Sequence, residues 1–211
     1  MRKSLRGLWS SAVSIDAPEA APGVDYLWGR RGIPAWIAAE AGVRFSAGWY
    51  GRPVVGFPLR DELGLLVAAA GRYIDAAAPQ TRSAGPKRAG VFVAAPGALE
   101  ADGVCLCEAP ITALSVAVAG RPAIALCDKH WPVWLVSRLA FKTVYISFDE
   151  GDPDSERAVK ALTRELAMLG AKPGRLRTPP GLQGDWYDVL VAHGRQALRE
   201  ALRDASGRTG V

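Results

Sequence analysis

The 211-residue sequence carries 26 Lys and Arg against 21 Asp and Glu, for a formal net charge of +5, and 49% of it is apolar. That composition excludes a disordered chain and leaves room for one α/β domain or two small ones, with a modest lean towards nucleic acid. No apolar run approaches a membrane span and the basic start, MRKSLRGLW, is not followed by a signal-peptide core, so a cytoplasmic protein is expected.

Leu5, Leu8 and Trp9 mark a short helix, followed by an Ala/Pro-rich linker up to residue 24. The stretch VDYLWGRRGIPAWIAAEAGVRF reads as two short helical patterns broken at Gly32 and Pro34. Tyr26, Leu27 and Trp36 are expected to pack, with Arg30 and Arg31 at the break. From Arg52 the periodicity changes. PVVGFPL and LGLLVAAAGRYI read as strands on either side of the polar turn Arg60-Asp61-Glu62, which makes a hairpin. AAAPQTRSAGPKRAGVF has the composition of a loop, with Arg82, Lys87 and Arg88 close together; it reads either as a solvated basic loop or as positive charge that meets phosphates.

From Gly103 short buried strands alternate with helices. VCLCE is a strand, and PITALSVAVAG a helix opened by Pro110 and closed by Gly120. PAIALC is a second strand and WPVWLVSRLA a helix that starts at Pro132. TVYISFD is a third strand, and PDSERAVKALTRELAMLG a helix that ends at Gly170. A weaker strand from Arg175 to Thr178 and a helical region from Asp185 to Asp204 complete the pattern. The alternation implies a parallel sheet with right-handed crossovers, hence an α/β fold class. Residues 1–24 form an N-terminal extension, 25–98 a smaller mixed α+β subdomain and 99–211 the α/β domain. Cys105, Cys107 and Cys127 fall in apolar β-like runs and read as buried thiols, without the further Cys or His of a zinc site. His130 and His193 stand apart and support no Ser/His or Cys/His nucleophile.

The chemistry gathers at the strand ends. The first strand of the α/β half ends in Glu108 and the third in Asp149, followed closely by Glu150, Asp152 and Asp154. Both strands should be buried on both faces, so both acids emerge at the sheet edge where ligands of open α/β folds bind. Carboxylates this close repel one another unless a cation neutralises them. Hard oxygen donors suit Mg²⁺ or Mn²⁺, which makes Glu108, Asp149, Asp152 and Asp154 the candidate ligands. Asp152 and Pro153 are also a good N-cap and N1 pair for the helix that follows.

These residues carry a resemblance. A strand ending in Glu, a helix, then a strand ending in Asp with another Asp just beyond resembles the Toprim domain shared by bacterial (DnaG-type) primases, topoisomerases and some nucleases. CLCEAPITALS is similar to the family's E-G-x-x-x-A-L-S segment, with Ala109 in place of Gly. Asp149-Glu150-Gly151-Asp152 is D-x-x-D where the family has D-x-D, so Asp152 and Asp154 compete for the second position. DYLWGRRGIP resembles the Y-L-x-x-R-G-[IL] segment that opens the primase core, and GFPLRDELGLLVAAAGRYI its P-[IL]-R-D-x-x-G-…-G-R segment. TRSAGPKRAGVF takes the place of the family's P-K-Y-x-N-S loop and matches it poorly. PPGLQGDWYDVLVAHG is similar to the P-x-G-x-D-W-N-D-x-L segment of Toprim proteins from phages and mobile elements, with Tyr187 replacing Asn.

The resemblance implies a Toprim-type parallel sheet with helices on both faces. It implies a DNA primase catalytic core, closest to phage and mobile-element versions, that makes short RNA primers on single-stranded DNA from ribonucleoside triphosphates. The family's catalytic carboxylates map onto Glu108, Asp149 and Asp152. A metal, Mg²⁺ or Mn²⁺, would be held by Asp149 and Asp152, with Glu108 holding a second metal or acting as general base. Arg60 and Arg72, then Arg31, are the family-matching candidates for contacting template or nucleotide. Lys87 and Arg88 join them on charge and loop position. No Cys-rich zinc module, helicase domain or domain with a transesterifying tyrosine is read in the sequence. A catalytic core standing nearly alone is therefore expected, with a replicative helicase or zinc-binding protein as partner. Two other readings stay open. One is a metal-dependent Toprim nuclease, in which water replaces the hydroxyl. The other is a non-catalytic nucleic-acid-binding module, in which Ala109 and the lengthened acidic loop reflect lost chemistry.

Overall fold

In the computed structural model, which describes residues 4–179 and 184–208, short helices lead into an antiparallel sheet. Helix α1 (Leu5–Ser10) is capped by Ser4, whose Oγ accepts from the Gly7 backbone N–H at 3.2 Å. Helix α2 (Ala21–Arg31) ends at Gly32, which takes the left-handed φ of 66° that only glycine adopts at little cost, and α3 (Ala35–Glu40) starts after Pro34. Both breaks are the expected ones. The Ala/Pro-rich stretch is shorter than expected, because Ala21 to Val24 already belong to α2. Pro22 sits in the first turn, where its missing N–H is no loss. Tyr26 and Leu27 are buried as anticipated, but Trp36 is 57% exposed. Ile37 and Ala38 take the inward face of that short helix and leave Trp36 on the other side.

Strands β1 (Val13–Ser14), β2 (Arg44–Trp49), β3 (Arg52–Arg60) and β4 (Leu66–Tyr73) form one sheet in that order, all antiparallel. The β3–β4 hairpin is the one its sequence announces. Strand β2 is a correction, since Arg44 and Phe45 read as the tail of a helical pattern; β3 supplies the partner that settles them as strand. Gly71 allows a close approach beside β4. A Cβ there would lie 2.6 Å from the Arg82 carbonyl oxygen, and the space it leaves lets residues 81–84 bridge to Arg72 and Ala69. The basic loop is thereby strapped to the sheet.

The second sheet has the order β5 (Phe92–Val93), β7 (Ala123–Ala125), β6 (Gly103–Cys107), β8 (Thr143–Ser147) and β9 (Lys172–Arg175). β6 to β9 pair in parallel, whereas the edge strand β5 pairs antiparallel with β7. β5 is too short to have been read, and β9 lies upstream of the expected Arg175 to Thr178 because Val144 of β8 pairs with Pro173. Helices α4 (Pro110–Val118) and α7 (Trp186–Arg208, broken at Gly194) pack on one face. Helices α5 (Val133–Arg138) and α6 (Pro153–Met168) pack on the other. Alternate residues of β6 divide between the two cores. Cys105 and Cys107 join Leu114 and Leu198, whereas Val104 and Leu106 join Leu135 and Leu162. Each such buried leucine is worth about 1.5–3 kcal/mol, so the sheet is stabilised from both sides.

The first of these cores runs on into the antiparallel half. Phe57 of β3 meets Phe92 of β5 edge-to-face, with ring centroids 5.5 Å apart, and so joins the two sheets. All three cysteines are free, and burial pushes the Cys105 thiol up to about 12, which makes it an inert core residue. Among the described residues no helix is long and apolar enough to cross a membrane. Residues 180–183, at the start of PPGLQGDWYDVLVAHG, lie outside the described residues.

Candidate active site

Register places the site. Cys107 is level with Ala125 on one side and Ser147 on the other, so three neighbouring strands end together. Glu108, Asp149 and the Cys127–Lys129 loop therefore leave the sheet at one edge. Glu108 is partly buried, and its Oε2 accepts from the hydroxyl of the fully buried Ser155 at 2.8 Å. Burial raises the Glu108 pKa, and the negative charge of Asp149 adds to this, while the Ser155 hydroxyl works the other way.

A third carboxylate joins them that the sequence reading did not single out. Asp185 stands just before α7 and is brought in by Trp186, whose buried Nε1–H donates to Ser147 Oγ at 2.8 Å. Its pKa is pushed up to about 6 by burial first, then by the charges of Asp149, Asp188, Glu108 and Glu150. The Asp-Trp-x-Asp run itself was the available signal.

Glu108, Asp149 and Asp185 line one cavity of about 600 Å³. The opposite wall comes from the antiparallel half and its basic loop, with Arg31, Arg72 and Lys87. Arg31 lies between two aromatic rings, 5.4 Å from the Tyr26 centroid and 4.6 Å from that of Tyr187, and its Nε donates to the Tyr26 hydroxyl at 3.2 Å. Arg72 donates to Gln80 Oε1 at 2.6 Å. Lys87 donates to the Cys127 carbonyl at 2.8 Å and sits 3.7 Å from Asp128.

Asp128 gathers the basic loop. Burial alone would raise its pKa, but the His130 ring at 3.0 Å, the Lys129 backbone N–H, Lys87 and Arg88 outweigh that and hold it below the usual carboxylate range. Arg88 is exposed, 3.8 Å from Asp128, and is not part of the cavity wall. Arg60 is not part of it either; its guanidinium donates to the Gly64 carbonyl at 2.9 Å and closes the β3–β4 turn. Asp152 is the N-cap of α6, with Oδ1 accepting from the Asp154 N–H at 3.0 Å, and it is ion-paired to Lys129. Asp154 pairs with Arg157. Of the acids read from the sequence, the fold thus brings Glu108 and Asp149 into the cavity and leaves Asp152 and Asp154 beside it.

Among the described residues no group of three or more His, Cys, Asp or Glu is arranged as a ready metal cage. The donor set still suits Mg²⁺, which binds through one or two carboxylates plus substrate phosphates and keeps several waters. Asp149 and Asp185, which line the same cavity and whose proximity helps raise the Asp185 pKa, are the carboxylates with that chemistry.

No protein-family model matches the sequence, and no curated protein does. Solved structures do match the fold. The RNA polymerase domain of Mycobacterium tuberculosis primase DnaG superposes with a TM-score of 0.67 at 18% identity, over 90% of this chain and 78% of that one. The DnaG primase catalytic domain bound to ssDNA gives a TM-score of 0.70 at 17% identity, over 95% and 77%. The E. coli primase catalytic core gives 0.69 at 18%, over 95% and 78%. The chain has the fold of a DnaG primase catalytic core. That fold supplies both walls of the cavity, the acidic strand ends from the parallel strands and the arginines from helix α2 and strand β4.

Proposed function

We infer that this chain is a primase catalytic core of the Toprim type, which joins ribonucleotides into short primers on a single-stranded DNA template. One observation carries the reading. The carboxylates Glu108, Asp149 and Asp185 face the cations Arg31, Arg72 and Lys87 across one cavity, the charge arrangement that phosphoryl transfer to a hydroxyl needs. In the reaction the 3′-oxygen of one nucleotide bonds to the α-phosphorus of the next, pyrophosphate leaves, and the hydroxyl proton must be taken up.

Each residue has work suited to its surroundings. Arg31, held between Tyr26 and Tyr187, and Arg72 present guanidinium donors to phosphate oxygens. Lys87 adds a point charge from the loop. Glu108, with its proton affinity raised by burial, is the group suited to accept the hydroxyl proton. Asp149 and Asp185 would hold Mg²⁺ or Mn²⁺, which supplies neutralisation of the triphosphate charge when bound. The Asp-Trp-Tyr-Asp segment, like that of phage and mobile-element Toprim proteins, supports placing the chain near those. A replicative helicase or a separate zinc-binding protein fits as partner.

The decisive experiment is primer synthesis on mixed-sequence single-stranded DNA with labelled ribonucleotides and Mg²⁺ or Mn²⁺, with Asp149→Asn run alongside. Short products that disappear in the variant are expected. Metal-dependent cleavage of DNA without any synthesis would replace this reading with the nuclease.

A further inference from the structure

The acids at the sheet edge divide into two sets by how their charge is met. Among the described residues, neither Asp149 nor Asp185 has an ion-pair partner, and both look into the cavity. Asp152 is answered from every side. Its Oδ1 accepts the Asp154 N–H at 3.0 Å, its Oδ2 lies 3.1 Å from the Ser155 hydroxyl, and Lys129 closes on the same Oδ2. Asp154 has Arg157.

Lys129 comes from an unexpected direction. It stands in the loop after β7, and the strand order β7-β6-β8 puts Glu108, at the end of β6, between that loop and Asp152. Its side chain therefore spans the mouth of β6 to reach the acidic loop, and it also lines the cavity. Asp152, Glu108 and Asp154 all act on this ammonium and raise its pKa, Asp152 most of all, so it stays charged.

We propose that the Lys129 ammonium is a built-in counter-ion that takes the place of a second divalent metal, so that this chain works with one Mg²⁺ or Mn²⁺, at Asp149 and Asp185. The inference rests on the metal-dependent reading above. Its physical basis is exclusion. An ammonium and a divalent ion cannot both sit on the Asp152 carboxylate without strong repulsion, and the ammonium is tethered while the ion must first shed tightly held water. An ammonium has three N–H donors; with Asp152 taking one, the others are free to meet a phosphate oxygen in the cavity.

The test is a count of bound Mn²⁺ on the full chain without nucleotide, by electron paramagnetic resonance or equilibrium dialysis, for the native protein and for Lys129→Met, Lys129→Gln, Lys129→Arg and Asp149→Asn. The native protein should bind one Mn²⁺, lost in Asp149→Asn. Lys129→Met and Lys129→Gln, checked for an unchanged melting curve, should each gain a second Mn²⁺ site at least about tenfold tighter than any weak binding to the native protein. Lys129→Arg should keep the count at one. Two ions on the native protein, or a count in Lys129→Met and Lys129→Gln no different from native, would overturn the inference and leave the metal-dependent reading standing. No Mn²⁺ on the native protein, even in a repeat with a ribonucleoside triphosphate added, would remove both.

Discussion

Ser155 Oγ lies 2.8 Å from Glu108 Oε2 and 3.1 Å from Asp152 Oδ2, so one buried hydroxyl ties together carboxylates that follow two different strands. A hydroxyl carries a single proton, and the two oxygens compete for it. Ser155→Ala should cost about 1–3 kcal/mol, the penalty for leaving charged acceptors without their donor. It should also raise the Glu108 pKa further, because the hydrogen bond that favours the ionised form is gone. If Glu108 accepts a proton in the reaction, the acidic limb of the pH–rate profile moves to higher pH. Urea denaturation checks the first effect and the pH profile the second.

Glu108→Gln and Asp149→Asn keep size and shape at the partly solvated end of the sheet while removing charge. Each should lower primer synthesis by at least about 100-fold, the range for losing a general base or an electrostatic stabiliser. Their melting temperatures should stay close to the native one. Undiminished synthesis in either variant would take that residue out of the site.

Asp185 makes stability depend on pH with a defined sign. Its pKa of about 6 in the folded protein is above the ordinary value, so the folded state holds the proton more tightly than the unfolded chain. The stabilising contribution is complete below about pH 4, the unfolded value, and is lost as pH rises through about 6. Asp185→Asn should flatten the metal-free denaturation midpoint across that window. Added Mn²⁺ should raise the native melting temperature more at pH 7 than at pH 5, and much less in the variant.

Arg72 and Arg60 separate a cavity wall from a turn. Arg72→Ala should weaken DNA binding and reduce the slope of log affinity against log salt by about 1. Arg60→Ala should leave that slope unchanged, since its guanidinium closes the β3–β4 turn, and should show in thermal stability instead. Binding measured at several salt concentrations distinguishes the two.

Trp186→Phe removes only the donor to Ser147 and keeps most of the buried ring. A loss of about 0.5–1.5 kcal/mol is expected from the hydrogen bond, together with slower synthesis because Asp185 is no longer held against the end of β8. Rates and chemical denaturation on the same samples test both halves.

Where one side chain's environment is dictated by its own segment, the sequence alone was enough. β6 and β8 pack against cores on both faces, so they appear as runs of apolar and β-favouring residues, and the acids that follow them are visible at once. The periodic Val159, Leu162 and Leu166 with the Asp152-Pro153 start made α6 plain. The hairpin of β3 and β4 and the breaks at Gly32 and Pro34 were equally local. Strands β2 and β5 were not legible, because short segments with mixed residues become strands only when a distant partner supplies hydrogen bonds. Trp36 was assigned to the core since no residue states which side of a short helix will face out. The site itself needed tertiary structure for the same reason. The presence of Asp185 in the cavity beside Glu108 and Asp149, the capture of Asp152 by Lys129 and the withdrawal of Arg60 into a turn all depend on strand order and register. These bring loops from different parts of the chain within a few ångströms, and no local pattern encodes that distance.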